Sequence, residues 1–225
     1  MRSALVIAIA VFLLCVSRVE GQSGKPHTAP DLTGVYQVIS PDVTLPGGLR
    51  NTGAPEDIAL RPEASEQMKG IDVAQDPEKM CQPIGPFRMM ARASTKIELV
   101  SPPSSGMIVM LFENISHGYF RTIFLDRPHP EDMIPAWHGY SVGRWEGSTL
   151  VIESVGFNER TWLNSRGAQH SDALRLVERI RPVLAGKYLE YRMTADDAKA
   201  LVKPYTYTRY YEKLATEIGE DVCEE

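Results

Sequence analysis

Short segments that alternate between apolar and polar residues dominate the second half of the chain. Alternation with a period of two indicates strands with one buried face, and the spacing of these segments is typical of antiparallel meanders. With a first strand over residues 31–39, the pattern predicts about nine strands. The other eight predicted strands cover residues 95–100, 107–113, 119–125, 139–145, 149–155, 174–181, 188–193 and 205–213.

Residues 60–70 show the pattern of a short helix. Pro62 and Glu63 suit a first helical turn, and Gly70 suits a C-terminal cap. The elements together predict a mainly β fold, a single antiparallel β-barrel of the lipocalin or calycin meander type with one or two short helices. We expect residues 31–225 to form this one domain around a hollow that is mainly apolar and carries a few ionisable side chains.

The segment 107–112 is apolar at every position. A sheet open to water on one side does not need this pattern, so we expect both faces of the strand to be covered. One face would line the barrel interior, and the other would lie under the N-terminal helix or against a neighbouring subunit. A homodimer is therefore one of the predicted assemblies.

Three tyrosines, Tyr205, Tyr207 and Tyr211, share one face of the last predicted strand. Buried tyrosines usually pack with the ring and direct the hydroxyl to a polar partner. We interpret these three as packing residues with outward hydroxyls, and a stripe that lines a ligand is the alternative.

The first 21 residues have the pattern of a secretory signal peptide. A cationic start at Arg2 precedes an apolar run over residues 4–16, and a small residue, Gly21, ends the segment. The run is shorter than the roughly 20 residues that a membrane span needs. We expect residues 1–21 to be removed, residues 22–30 to form a flexible lead-in, and the mature protein to be secreted or periplasmic without a membrane anchor.

The formal net charge of the chain is −5. Binding to phosphate backbones requires a basic face, so this balance argues against a nucleic-acid partner.

After removal of the leader, Cys81 and Cys223 are the remaining cysteines. In an oxidising compartment the simplest interpretation is one disulfide between them. Two unpaired thiols are the alternative.

No local metal or nucleophile motif is present in the sequence. No two histidines have the i, i+2 or i, i+4 spacing of a metal site, and we predict neither a metal nor another cofactor. The letters around Ser141 match a nucleophile elbow, Gly139 and Gly143 flanking it at the required spacing. A strand follows instead of the helix that the motif needs, so the match does not predict a hydrolase.

Glu178 is the most informative ionisable residue, because it falls between Leu176 and Ile180 on the predicted inward face of a strand. A charge among apolar neighbours needs a partner or a raised pKa. One interpretation is a structural ion pair with Arg121 or Arg144. The other is a general acid or base that works with His170 or His129 on a small ligand.

The stretch 137–162 indicates the mouth of a ligand-holding sheet. It forms a hairpin around the turn 146–148, with glycines, aromatic residues and polar side chains near its ends, among them the adjacent Trp137 and His138. The alternative is that these aromatic residues cover the hydrophobic core and contact no ligand, which is common for aromatic residues beside turns. The candidate substrate-binding residues are Arg121, Tyr140, Arg144, Trp145, Asn158 and Trp162.

Two resemblances support this picture. The residues 31–36, Asp-Leu-Thr-Gly-Val-Tyr, resemble the opening strand of lipocalin- and avidin-type barrels, with Tyr36 in place of their Trp. A larger set of segments is similar to a family of exported bacterial proteins without an assigned activity, which implies secretion and a shared fold. These segments are 80–88, 141–152, 156–158 with 161–163, His170-Ser171 with Glu178-Arg179, and 222–225.

The sequence therefore predicts an exported barrel that binds a small, partly apolar molecule. One function is a metal-free acid–base enzyme of lyase, isomerase or hydratase type, with His170, Glu178 and His129 as catalytic candidates. The other is a non-catalytic binding or carrier protein of lipocalin type. An enzyme requires its proton-transfer groups to converge on one cavity, whereas a carrier requires only an apolar pocket with a few polar contacts.

Overall fold

The computed structural model describes residues 29–93, 95–102, 104–113 and 120–219. The predicted signal peptide, most of the lead-in and Cys223 lie outside these residues, so the leader and the Cys81–Cys223 disulfide stay predictions. Within the described residues, nine strands form one closed barrel in which each strand pairs with the next and β1 pairs with β9. The strands are β1 Gly34–Val38, β2 Lys96–Val100, β3 Met107–Glu113, β4 Phe120–Leu125, β5 Tyr140–Glu146, β6 Thr149–Val155, β7 Arg175–Val183, β8 Tyr188–Asp196 and β9 Tyr205–Leu214.

The predicted fold class is confirmed, with one difference in strand direction. The pairing of β4 with β5 is parallel, Ile123 opposite Ser141, whereas the other neighbours are antiparallel. The connection of residues 126–139 contains Pro128, Pro130 and Pro135 instead of a two-residue turn. A parallel pair needs such a crossover, because the chain must return to the other end of the barrel before the next strand begins.

Helices α1 (Pro62–Lys69) and α2 (Pro86–Met89) precede β2. As predicted, α1 has Pro62 in its first turn and Gly70 as its C-terminal cap. It lies beside the connection between β8 and β9, where Leu60 bridges to Leu201. The outward side chains of β3 are half-buried. The sequence predicted that the N-terminal helix covers them, but α1 lines a different surface together with Lys199 and Ala200. A homodimer through β3 stays a prediction.

The barrel interior is filled by side chains. Tyr36, Tyr191, Tyr207 and Tyr211 are at most 1% exposed. They share one core with Ile84, Phe87, Met89 and Met90 from the segment around α2, which we call the plug. The plug, residues 84–90, closes one end of the barrel. The central hollow that the sequence predicted is therefore occupied by aromatic rings and the plug.

Tyrosines of β9 hold the plug in place. The hydroxyl of Tyr207 donates to the carbonyl oxygen of Phe87 at 2.7 Å, and that of Tyr211 donates to the carbonyl oxygen of Met90 at 2.7 Å. Their packing role is confirmed, but these two hydroxyls point inward, to the plug. A fully buried hydroxyl requires a partner, and the four-residue helix provides carbonyl groups that its own hydrogen bonds leave open.

Candidate functional site

The parallel register of β4 and β5 leaves an opening in the barrel wall. Pairing with β5 begins only at Ile123, although Phe120 and Arg121 still pair with β3 on their other side. Gly139, directly before β5, has a φ of +62°, and a Cβ there would lie 2.6 Å from the carbonyl oxygen of Val155. Only glycine fits this combination of backbone angle and close approach.

A cavity of about 400 Å³ lies at this opening, and we call it the wall cavity. Its rim is aromatic, with Phe120, Phe124, Trp137 and Tyr140. The rings of Phe124 and Tyr140 stack with centroids 5.0 Å apart, and the side chain of Phe120 is 60% exposed. The inner part of the wall cavity is polar and consists of Arg121, His138 and Ser141 beside Pro83.

Arg121 belongs to a buried polar cluster behind the wall cavity. Its two Nη atoms donate to both carboxylate oxygens of Glu178, at 2.6 and 3.1 Å. Nη2 also contacts the hydroxyl oxygens of Ser141 at 3.1 Å and Ser154 at 3.2 Å. The hydroxyl of Tyr191 donates to Glu178 at 2.7 Å. Every member of this cluster is at most 3% exposed.

The cluster is neutral as a whole because it holds one cation and one anion. Burial by itself would lower the pKa of the Arg121 guanidinium, but the carboxylate of Glu178 raises that pKa above its ordinary value. Burial raises the pKa of the Tyr191 hydroxyl well above its ordinary value, which keeps it protonated as a donor. The structure confirms an ion pair between Glu178 and Arg121, which was one of the two interpretations of Glu178 from the sequence.

His138 lines the wall cavity and is neutral at physiological pH. Burial and the nearby positive charge of Arg121 lower its pKa to about 4. The imidazole stacks against the ring of Phe112, with an angle of 27° between the ring planes and centroids 6.3 Å apart. The described residues in the inner part of the wall cavity thus provide polar atoms but no net charge.

The two histidines among the catalytic candidates form hydrogen bonds with groups other than Glu178. His170 is 5% exposed and sits in the loop before β7, where Nδ1 contacts the carbonyl oxygen of Ser171 at 2.9 Å and Nε2 contacts Thr161 Oγ1 at 2.8 Å. A carbonyl only accepts, so Nδ1 carries the proton and Thr161 donates to Nε2. Burial lowers the pKa of His170. His129 contacts the carbonyl oxygen of Glu153 at 3.3 Å on the outside of the barrel.

The structure places the candidate substrate-binding residues in several different regions. Arg121 and Tyr140 line the wall cavity. Arg144 is exposed and pairs with Glu146 at 2.7 Å, and it does not pair with Glu178. Trp145 lines a separate cavity at the opposite barrel end from the plug, beside residues 29–33. Trp162 is buried in a loop bridge with Gln169, and Asn158 accepts a hydrogen bond from the backbone of Arg160 at 3.2 Å.

Sequence reasoning missed most of the rim. Phe120 and Phe124 are the outward residues of β4 and look like surface positions in the alternating pattern. Trp137 and His138 are adjacent in the sequence directly before β5, and this pair was the sequence feature that pointed to the wall cavity. Trp137 and His138 come close to β4 because β4 and β5 pair in parallel. The alternation of apolar and polar residues does not report the direction of a neighbouring strand.

The described residues contain no group of three or more His, Cys, Asp or Glu side chains arranged to hold a metal ion. In that same part of the chain, no helix has the length and apolar character to cross a membrane.

The fold and the site define a closed β-barrel with a cavity in its wall. No family model and no curated protein matches the sequence. Among solved structures, the chain is similar to secretory abundant heat soluble protein 4 from Ramazzottius varieornatus, with a TM-score of 0.39, 12% identity, and coverage of 81% of this chain and 94% of that one. It is also similar to fatty-acid-binding protein 1 from Echinococcus granulosus, with a TM-score of 0.39, 13% identity, and coverage of 82% and 98%. Neither similarity assigns a function to this chain.

Proposed function

We propose that this protein binds a small, partly apolar molecule in the wall cavity. The observation that carries the proposal is the meeting of an aromatic rim with buried polar groups at an opening in the barrel wall. A volume of about 400 Å³ lies in the lower part of the range of roughly 300–1,000 Å³ that is common for ligand pockets. An apolar lining with a few convergent polar groups is the usual composition of such sites.

The binding function has more support than the acid–base enzyme. Glu178 is held by Arg121 and Tyr191, and it is 0% exposed. His170 is held by Thr161 and Ser171 in a different part of the molecule. A proton-transfer pair needs both groups within reach of one substrate. His170 lines a cavity to which Glu178 does not contribute, so we do not propose catalysis by this pair.

We also propose that the protein is exported, on the basis of the predicted leader over residues 1–21. A disulfide between Cys81 and Cys223 would fit that compartment. Intact-mass measurement of the protein recovered from the periplasm or the medium tests both points. Loss of the leader and of two hydrogen atoms is the expected result, and an uncleaved, cytoplasmic product would contradict export.

The binding function is tested with the neutral fluorescent probe N-phenyl-1-naphthylamine. We expect a saturable rise in its emission with wild-type protein. Phe120→Ala removes an exposed ring from the rim and should weaken binding about tenfold, equivalent to about 1.4 kcal/mol. Phe120 is 60% exposed, so this change should leave the fold intact.

Val202→Ala is the matched control, because Val202 is an apolar residue that is 57% exposed and lies outside the wall cavity. It should leave probe binding unchanged. The proposal fails if the probe does not bind, or if Phe120→Ala and Val202→Ala bind it equally well. Native mass spectrometry of the purified protein would identify a ligand that remains bound.

A further inference from the structure

Among the described residues, the inner part of the wall cavity offers polar atoms but no uncompensated charge. Arg121 is balanced by Glu178 at 2.6 Å, and both side chains are at most 2% exposed. His138 is uncharged at neutral pH, because its pKa is about 4. A carboxylate that entered this region would lose its hydration without meeting an unpaired cation from the described part of the chain. Burial of an unpaired ion is strongly unfavourable.

Arg121 nevertheless retains a hydrogen-bond donor. Its pair with Glu178 uses the two Nη atoms, which leaves Nε at the opposite corner of the guanidinium. Nε is buried and has no acceptor among the described residues, and the Arg121 side chain is part of the lining of the wall cavity. A buried donor without an acceptor is energetically costly, so an acceptor oxygen from a ligand would be favoured there.

The rim favours a flat molecule. Phe124 and Tyr140 present nearly parallel rings, with an angle of 21° between their planes, and Trp137 lies nearby in the same lining. Aromatic faces bind planar rings by offset stacking or edge contacts. Arg127 and Arg160 cover the rings of Phe124 and Trp137. Both cations are exposed, so salt and water screen their attraction for anions.

We propose that the wall cavity selects neutral, planar aromatic molecules that carry a carbonyl-type oxygen, and that it discriminates against the corresponding carboxylates. Arg121 donates a hydrogen bond to the carbonyl oxygen, and the aromatic rim holds the ring system. This inference rests on the proposed function, since it assigns a ligand class to the same site.

The test compares two competitors of nearly equal size, 2-acetylnaphthalene and 2-naphthoate. Each is titrated against bound N-phenyl-1-naphthylamine at pH 7.5, where 2-naphthoate is ionised. We expect the ketone to displace the probe with an affinity at least tenfold higher than that of the carboxylate. Equal or stronger displacement by 2-naphthoate would overturn the inference and leave the proposed function standing. Failure of the probe itself to bind would reject the proposed function, and the inference with it.

Glu178→Gln provides the second measurement, because it leaves the charge of Arg121 without compensation. We expect the ratio of ketone to carboxylate affinity to fall at least tenfold in this variant. Glu146→Gln is the matched control, since it removes a carboxylate from an exposed ion pair with Arg144 and should leave the ratio unchanged. A ratio that responds equally to both substitutions would overturn the inference. If Glu178→Gln does not fold, the wild-type ratio alone decides.

Discussion

The pair of Arg121 and Glu178 allows a quantitative test of what holds the barrel interior together. Arg121→Met leaves the carboxylate of Glu178 buried with Tyr191 as its hydrogen-bond donor among the described contacts. Glu178→Met leaves the guanidinium with the hydroxyls of Ser141 and Ser154. Removing one partner of a buried ion pair costs about 3–5 kcal/mol, because the other charge stays buried without compensation.

We therefore expect each single variant to lower the free energy of unfolding by about 3–5 kcal/mol, with the larger loss for Arg121→Met. For a domain of this size the loss corresponds to a fall in Tm of roughly 10 °C. The double variant removes both charges and fills the space with apolar side chains. It should be more stable than either single variant, because no uncompensated ion remains.

Urea denaturation of the four proteins, followed by circular dichroism, gives the coupling energy directly. The control cycle uses Arg179 and Glu146, which form an exposed pair at 2.9 Å and should couple by less than about 1 kcal/mol. The reasoning is wrong if the losses of Arg121→Met and Glu178→Met simply add in the double variant, or if Arg121→Met is as stable as the wild type.

Three further predictions concern the wall cavity and the plug. The pKa of His138 is about 4 in the folded protein and near 6.5 when unfolded, so the unfolded state binds more protons and stability falls by up to about 3 kcal/mol from pH 6.5 to pH 4. Subtracting the unfolding curve of His138→Asn isolates this contribution, and parallel pH profiles would refute it. Tyr211→Phe removes the hydroxyl that bonds to Met90 and should cost about 1–3 kcal/mol in urea denaturation, whereas an unchanged midpoint would show that the plug does not need this bond. Gly139→Ala places a Cβ against Val155 and should weaken N-phenyl-1-naphthylamine binding at least tenfold, with wild-type affinity as the contrary result.

Much of the barrel could be predicted from the sequence, because a strand with one buried face leaves a period of two. The predicted bounds of β3 and β6 coincide with the observed ones, Met107–Glu113 and Thr149–Val155. Burial of Glu178 followed from its position between Leu176 and Ile180 on the same face. A buried carboxylate needs a cation, and Arg121 was one of the two candidates for that role.

The remaining features depend on contacts that periodicity does not report. Alternation gives the faces of a strand but not the direction of its neighbour, so the parallel pairing of β4 with β5 was not predicted. The helix Pro86–Met89 is too short to show a helical period. The rim of the wall cavity was missed for the same reason as the pairing, since Phe120 and Trp137 meet only because the chain crosses over before β5.

We expect local opening of the barrel to begin at the parallel pair of β4 and β5. β4 and β5 are joined at three paired positions, whereas β7 and β8 are joined at nine, so this seam has the shortest hydrogen-bonded ladder to separate. Local opening follows such weak points. Local opening between β4 and β5 would widen the entrance to the wall cavity while the plug stays in place, so a ligand could enter through the barrel wall without displacing the plug.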